Sequence, residues 1–207
     1  MSAPRCVTLL GAALLLCSLG SCALLGKSAP ITPRYYSPER PGDLTPLVSE
    51  RPEPVVRVRL GRVTSAGNIG ELIITRVSST EVVYSRLRRW TEAPEQYLKR
   101  RLARVLFEEH GLGEATGADA PTLDVQLTTF EEVRVRLHMA RVQVTARLRN
   151  EGRVTWQETL TVEQPVTMAA GDDSADATVE AIGVAMRAVV DRVAERVVLE
   201  LSRAPTS

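Results

Sequence analysis

One thiol near the N terminus stands in a sequence context that predicts specific chemistry. Cys22 closes the sequence Leu19-Gly20-Ser21-Cys22, which follows a single basic residue, Arg5, and an apolar run of about ten residues. This order is typical of a secretory signal, and a cysteine after a leucine and two small residues is the lipobox pattern of bacterial lipoproteins. We therefore expect cleavage between Ser21 and Cys22, with acylation of the Cys22 thiol as the attachment to a membrane.

A second interpretation of the leader stays open. Residues 6–25 carry no charge over twenty positions, a length that could also span a bilayer as an uncleaved signal anchor. We favour cleavage because Gly11, Ser18 and Gly20 dilute the apolar character of the second half, whereas residues 9–16 are compact as a signal core should be. Residue 23, directly after the cysteine, is Ala rather than Asp. An aspartate at this position resembles the inner-membrane retention signal of enteric bacteria, so its absence favours the outer membrane.

The other reactive side chains do not form a catalytic or metal-binding pattern. Neither His110 nor His138 lies in a nucleophile signature such as Gly-x-Ser-x-Gly, so we expect a helix-end cation at His110 and a solvent-facing ring at His138. The acids at 172, 173 and 176 lack the spacing of a calcium loop, and no glycine-rich phosphate loop is present. Cleavage would remove Cys6 and Cys17 with the leader, and acylation would modify Cys22, so no free thiol would remain to bind a metal. We expect a protein that is not an enzyme and needs no metal or cofactor.

Arginines concentrate around Trp90, and they allow two interpretations. A guanidinium cluster can bind phosphate head groups or an acidic protein face, but it can equally be a solvated surface paired with nearby glutamates. We favour the solvated surface, because single ion pairs at a surface are common and weak. The cluster comprises Arg86, Arg88, Arg89, Arg100, Arg101 and Arg104, and the candidate acidic partners are Glu92, Glu95, Glu108 and Glu109.

Composition sets the broad class. Removing residues 1–21 from the 207 leaves 186, enough for one ordinary domain, with 25 basic and 25 acidic residues. Aromatic residues make up only 4% of the chain, which argues against a base-stacking nucleic-acid platform. Seven prolines fall between residues 26 and 54. We therefore predict a signal peptide at 1–21, a lipidated cysteine with a proline-rich tether at 22–54, and a domain at 55–203.

The domain sequence alternates in a way that predicts strands. Residues 55–63, 72–77, 81–87 and 123–127 carry β-branched or alternating apolar residues, and Ser78-Ser79-Thr80 suits a hairpin turn. Apolar residues fall at odd-numbered positions from Val133 and at even-numbered positions from Val142. One continuous strand cannot place both sets on the same face, so we predict a bulge or turn at Ala140-Arg141. Asn150-Glu151-Gly152 predicts a turn into a returning strand that includes Trp156.

Two segments have helical periodicity. The first opens at Pro94, places Leu98, Leu102 and Leu106 on one stripe, and ends at Gly111. The second is capped at Ser174, runs for about 28 residues, and would expose apolar surface for a partner at its far end. Together these elements predict an α+β fold, a single domain with an antiparallel sheet and two helices packed on one face.

Several of these motifs resemble the auxiliary lipoproteins of ABC-type transport systems, the family that includes the PqiC/YmbA-type lipoproteins. The similarity covers nearly all of residues 22–202. The matching pieces are Cys22 with its lipobox, Tyr35-Tyr36, Val56-Arg57-Val58, Ile73-Ile74-Thr75-Arg76, Arg89-Trp90-Thr91-Glu92 leading through Pro94 into the first helix, Leu102, Leu106 and Phe107, and the closing helix.

The resemblance implies an outer-membrane lipoprotein facing the periplasm that works as a non-catalytic adaptor beside an ABC-type lipid transport system. Its implied partners are the membrane, an MCE-domain or other periplasmic subunit of the transporter, and further copies of itself in a ring. The residues implied for partner binding are Arg89, Trp90, Glu92 and Pro94. An alternative function is a lipid carrier or chaperone that holds an apolar ligand between the sheet and the helices.

Overall fold

The computed structural model describes residues 32–44, 54, 56–117, 119–168 and 174–203. The predicted signal peptide, the cleavage site at Ser21 and the lipidated Cys22 lie outside the described residues, as do Asp172 and Asp173. Those predictions therefore stay predictions. Within the described part, no helix combines the length and the apolar character needed to cross a membrane.

Three long antiparallel strands form the largest part of the sheet. Strand β6 (Thr122–Arg134) pairs with β7 (His138–Asn150), and β7 pairs with β8 (Arg153–Pro165). Glu151 and Gly152 join β7 to β8 with φ values of 50° and 77°, the positive angles that a tight two-residue hairpin requires. This confirms the predicted turn.

The opposite edge of β6 carries the shorter strands. Strands β2 and β3 follow one another along this edge and both run parallel to β6, β2 beside its first half and β3 beside its last residues. The predicted hairpin of β3 and β4 is confirmed, with β1 parallel to the end of β4. These strands are β1 (Arg34–Tyr36), β2 (Arg57–Ser65), β3 (Leu72–Arg76), β4 (Val82–Trp90) and β5 (Gly113–Glu114), which lies beside β2.

The α+β class and the two helices are therefore confirmed, but the prediction of a wholly antiparallel sheet is wrong. The eight-stranded sheet is mixed, because β2 and β3 reach β6 by crossover connections rather than by tight turns. Hydrophobic alternation marks which face of a strand is buried, and it is the same for both directions of pairing. The alternation of apolar residues therefore could not predict the direction of the strands.

The predicted break at Ala140-Arg141 is also wrong. That pair lies inside an uninterrupted ladder, where Ala140 faces Glu132 of β6. The change of phase has another cause: Val133 belongs to β6, whereas the even positions belong to β7, and the chain turns between the two strands at residues 135–137. Leu137 is apolar but 70% exposed at this turn, so its apolar character wrongly indicated a buried position in a strand.

Two helices cover one face of the sheet. Helix α1 (Pro94–Ala103) continues into a π-helical turn (Arg104–Glu109), and Gly111 follows with φ 68°, which confirms the predicted left-handed glycine at this helix end. Helix α2 (Ser174–Arg203) packs on β7 and β8, while α1 packs on β2, β6 and α2. Buried aliphatic side chains from all these elements fill the space between the sheet and the helices.

The segment after residue 33 is part of the domain rather than tether. Tyr36 is buried as β1 pairs with β4, while Tyr35 stays 60% exposed. The following residues hold both helices: Glu39 pairs with Arg100 of α1 at 2.7 Å, and a Cβ added at Gly183 of α2 would collide with the backbone carbonyl of Pro38. A short 3-10 helix (Pro41–Leu44) follows. The extended tether predicted for 22–54 therefore does not describe residues 34–44.

Candidate functional site

Two of the four residues implied for partner binding are core residues. The Trp90 side chain is only 2% exposed and stacks on Phe130, with ring centroids 5.1 Å apart and planes tilted by 58°. Pro94 is buried at the first turn of α1, where a missing N–H costs nothing. The aromatic motif therefore stabilises the junction between β4 and α1, and its two apolar members are not available at the surface.

The other two residues, Arg89 and Glu92, lie at the surface beside this junction. Arg89 Nη1 is 4.0 Å from a carboxylate oxygen of Glu71, and Glu92 accepts a hydrogen bond of 2.7 Å from Arg100. The backbone N–H of Glu92 donates to the Tyr97 hydroxyl at 2.9 Å, which fixes the entry to the helix. Contact with a partner at this position stays a prediction, and Arg89 and Glu92 are the members that could make it.

The sequence cluster of arginines separates into two groups in space. The arginines of α1 and its π-helical turn are neutralised by acids: Arg100 by Glu39 and Glu92, and Arg101 and Arg104 by Glu109. For these residues the structure supports the solvated, paired surface that we favoured. Arg86 and Arg88 of β4 form the second group and line a surface groove.

Arg86 and Arg88 line a surface groove of about 580 Å³ at one end of the sheet, which we call the arginine groove. Two further arginines join them there, Arg34 from β1 and Arg134 from the end of β6. Thr75 of β3 and Ser174 of α2 add hydroxyl groups to the wall, and Ala175 from the first turn of α2 also lines it. Five elements that are distant in sequence thus meet at this groove.

A buried carboxylate, Glu132, lies beneath the arginine groove. Its side chain has no solvent exposure and accepts hydrogen bonds from four side chains, while the guanidinium of Arg88 lies 3.9 Å from Oε2. The donors are Thr75 Oγ1 at 2.7 Å, Thr178 Oγ1 at 2.9 Å, Arg134 Nε at 2.8 Å and His138 Nε2 at 2.6 Å. The Glu132 network therefore connects β3, β6, β7 and the first turns of α2.

The network keeps Glu132 ionised. Burial alone raises the pKa of this carboxyl, but the four hydrogen bonds outweigh burial and bring the pKa below its ordinary value. The expectation that His138 faces solvent is wrong, because its ring turns back onto Glu132 and only 26% of the side chain is exposed. Strand periodicity does not predict the contact between His138 and Glu132, because it indicates only which face of the strand is apolar.

The Glu132 network does not have the geometry of nucleophilic catalysis. A triad needs the acid on one imidazole nitrogen and the nucleophile on the other. Here the same nitrogen, His138 Nε2, faces both Glu132 and the Thr178 hydroxyl, the latter at 3.4 Å. Thr178 is fully buried and lies within 2.7 Å of the backbone carbonyl of Ser174. The arrangement is suited to holding elements together rather than to attacking a substrate.

Sequence reasoning missed Glu132 and Arg134. A local signal existed, because Glu131-Glu132 lies directly between the apolar residues Phe130 and Val133 in one strand. An acid on the inward face of such a strand must find donors, since an isolated buried charge is strongly unfavourable. Among the described residues, no group of three or more His, Cys, Asp or Glu side chains could hold a metal ion.

Exposed apolar side chains border the arginine groove. Val83, Tyr84 and Leu87 of β4 are 46%, 41% and 48% exposed and line its outer wall. A neighbouring groove shares Arg134 and Ser174 and is bordered by Leu137 and by Met168, which is 50% exposed. This end of the sheet therefore presents positive charge next to apolar surface.

Comparisons with known proteins identify the fold. No family model matches the chain, and no curated protein matches it by sequence. Among solved structures, a Xanthomonas campestris protein described as belonging to the family DUF330 is 21% identical, with 82% of this chain and 98% of that chain covered and a TM-score of 0.66. An uncharacterised protein is 17% identical over 80% of this chain and 99% of that chain, with a TM-score of 0.60. The chain thus shares the fold of these two proteins.

Proposed function

We propose that this chain is a lipid-anchored lipoprotein of the cell envelope and a non-catalytic auxiliary component of an ABC-type, MCE-associated lipid transport system. The lipobox ending at Cys22 supports the anchor. The fold shared with the DUF330 protein fits the resemblance on which the transport role rests. In this role Cys22 carries the acyl chains, and the domain acts as an adaptor on the periplasmic side of the outer membrane.

The observation that carries this proposal is how soon the folded domain begins after the anchor. Arg34, the first residue of β1, follows Cys22 by only twelve positions. Whatever conformation the intervening chain takes, twelve residues reach at most about 43 Å. The domain would therefore be held close to the bilayer surface, which suits an adaptor that positions a transporter subunit at the membrane.

The interior of the domain favours an adaptor over a carrier. A carrier with an apolar ligand between the sheet and the helices needs an empty space there. In the described part, that space is filled by side chains without solvent exposure, including Leu127 and Val144 of the sheet and Ile182 and Val190 of α2. A lipid chain would have to displace these core residues. The grooves described above lie at the surface instead.

Metabolic labelling with radioactive palmitate tests the anchor. We expect the wild-type chain to take up label and to fractionate with membranes, and Cys22→Ser to do neither. Cys17→Ser is the matched control, because it removes a cysteine of the predicted leader and leaves the lipobox unchanged. Label on Cys22→Ser, or an intact leader in the wild-type product, contradicts the proposal.

Site-specific photocrosslinking in cells tests the adaptor role. A photoreactive amino acid at Glu92, which is 46% exposed, should crosslink to an MCE-domain subunit. The matched control is the same amino acid at Glu151, which is exposed in the turn between β7 and β8. Absence of that subunit from the Glu92 crosslinks, or equal yield from both positions, contradicts docking at this surface. Further copies of the chain in the crosslinks would show the self-association that the resemblance implies.

A further inference from the structure

The face of the sheet that the two helices leave uncovered carries a polar pocket of about 330 Å³, which we call the outer-face pocket. Its side chains come from β2, β6 and β7 and alternate along β6 and β7 with core residues such as Leu123 and Ala146. All the lining residues are polar or charged except Val125, which is only 2% exposed. None of them is adjacent in sequence to a residue outside the described ranges.

Strand register arranges the lining side chains in two rows across the sheet. In the first row, Asp124 of β6 is directly opposite Arg147 of β7, and the backbone N–H of Arg62 in β2 donates to Asp124 Oδ1 at 2.8 Å. The second row lies two residues further along each strand and comprises Thr64, Gln126 and Thr145. Two residues of a strand advance about 6.6 Å, so a row of charged groups lies beside a row of hydroxyl and amide groups.

Asp124 gives the first row a fixed geometry. Its Oδ2 accepts a hydrogen bond from Arg149 Nη2 at 2.5 Å, while Oδ1 holds the backbone of β2 at Arg62. Gly61 permits this close approach, because a Cβ at that position would collide with Asp124 Oδ1. Both oxygens of the carboxylate are therefore used within the fold, and its charge is balanced by Arg149.

Two further arginines of the pocket have no acidic partner among the residues that the structure describes. The guanidinium of Arg62 makes no ion pair there, and Arg147 donates through Nε to the neutral amide of Gln157 at 2.9 Å. Both side chains are exposed. With three arginines and one aspartate, the lining of the pocket carries two positive charges in excess.

The other acids on this face of the sheet do not offset that excess. Glu131 pairs with Arg76 and Arg141, and Glu163 pairs with Arg141. These ion pairs lie toward the other end of β6, β7 and β8, outside the lining of the pocket. The outer-face pocket is therefore complementary to an anion.

The charge and the second row together select the class of anion. A phosphate monoester carries about 1.5–2 negative charges near neutral pH, which matches two guanidiniums, whereas a carboxylate supplies one. Thr64, Gln126 and Thr145 can each donate and accept hydrogen bonds, as sugar hydroxyls do. An acyl chain or an aromatic group would find no exposed apolar side chain in the lining.

We propose that the outer-face pocket binds a phosphorylated saccharide. Arg62 and Arg147 contact the phosphate, and Thr64, Gln126 and Thr145 contact the hydroxyl groups of the sugar. Arg149 is a positioning residue, since its ion pair keeps Asp124 in place on β2. The site goes beyond the proposed function, because it requires neither the lipid anchor nor a transporter subunit.

Calorimetric titration of the purified full chain tests this site, in a nonionic detergent without a sugar head group. The probes are glucose 6-phosphate, glucose and inorganic phosphate. We expect glucose 6-phosphate to bind most tightly, and Arg62→Gln and Arg147→Gln each to weaken it about tenfold through loss of a charge-assisted contact. Arg136→Gln is the matched control, because it removes the same charge from an exposed position in the turn between β6 and β7.

A second pair of variants tests contact with the sugar. Thr145→Val should weaken binding of glucose 6-phosphate about threefold to fivefold and leave binding of inorganic phosphate unchanged. Thr161→Val is the matched control, because Thr161 is also a hydrogen-bonded hydroxyl on this face but lies outside the pocket, and it should change neither. Thermal unfolding of each variant verifies that it folds as the wild type does.

The proposal is overturned if glucose 6-phosphate does not bind, or if Arg136→Gln weakens its binding as much as Arg62→Gln does, because the attraction is then a property of net charge. Equal affinity for inorganic phosphate would show a site for free phosphate, and equal affinity for glucose would remove the role of the anion. Either result overturns the assignment to a phosphorylated saccharide. Acylation of Cys22 does not enter the titration, so its failure is distinct from failure of the proposed function.

Discussion

Replacement of Glu132 by glutamine tests the central structural role of this buried carboxylate. The substitution preserves the size of the side chain and removes its negative charge. It leaves the Arg134 guanidinium, which lies 2.7 Å from Oε1, without a carboxylate partner among the residues that the structure describes. It also replaces one accepting oxygen with an amide N–H₂ group, which faces the hydroxyl donor Thr75 if it stands in place of Oε2 and the hydroxyl donor Thr178 if it stands in place of Oε1. We therefore expect Glu132→Gln to destabilise the fold.

The magnitude follows from the contacts that are lost. Hydrogen bonds to a charged group contribute about 1.5–3 kcal/mol each, and removal of one partner of a buried ion pair costs about 3–5 kcal/mol. Glutamine retains one acceptor and Arg134 is 43% exposed, so the loss lies toward the lower end. We expect a decrease of about 3 kcal/mol in the free energy of unfolding. For a chain of this length, that corresponds to about 6–12 °C in Tm.

Urea denaturation of the full chain at neutral pH measures this loss. Glu163→Gln is the matched control: Glu163 is 44% exposed and pairs with Arg141 at 2.7 Å on the outer face of the sheet. A surface pair of this kind contributes less than about 1 kcal/mol. A Glu132→Gln variant that unfolds within about 1 kcal/mol of the wild type would refute the reasoning, because the network would then contribute no more than a surface pair.

The same residue makes stability depend on acid. The pKa of Glu132 is lower in the folded protein than its ordinary value of 4.5, so the unfolded chain binds this proton more readily as the pH falls. The stabilisation is complete above the unfolded pKa and is lost as the pH falls through the folded pKa. The difference in unfolding free energy between wild type and Glu132→Gln should therefore be constant above about pH 5 and shrink below about pH 4. A difference that grows on acidification contradicts this sign.

Two further predictions concern packing. Trp90→Ala should decrease the free energy of unfolding by about 3–5 kcal/mol in urea denaturation, because it removes the large buried ring that stacks on Phe130; a loss below about 1 kcal/mol would show that the ring is not a core residue. Gly183→Ala should cost about 1–3 kcal/mol, because its Cβ would push the backbone of Pro38 off α2, while Gly67→Ala, with open space around it, should cost no more than a surface change. Equal effects of the two glycine variants would show that the segment after β1 does not pack on α2.

Local patterns in the sequence predicted the elements that are set by local physics. Alternation and turn residues gave the β3–β4 hairpin and the turn at Glu151-Gly152, where Gly152 suits the positive φ angle that the turn requires. Helical spacing and Gly111 gave the extent of α1 and its end. These features depend on residues within a few positions of one another, so a single sequence contains them.

The tertiary structure alone decided the sheet order and the arginine groove. Parallel pairing of β2 and β3 with β6 joins segments more than fifty residues apart, and alternation is blind to strand direction. Arg86 and Arg100 looked alike in one sequence cluster, yet one lines the arginine groove and the other is neutralised by Glu39 and Glu92. Charge is a property of a residue, whereas its neutralisation depends on which distant acid the fold brings near. The sequence by itself therefore determined the predicted anchor and most of the elements, and the fold determined which arginines are paired with which acids.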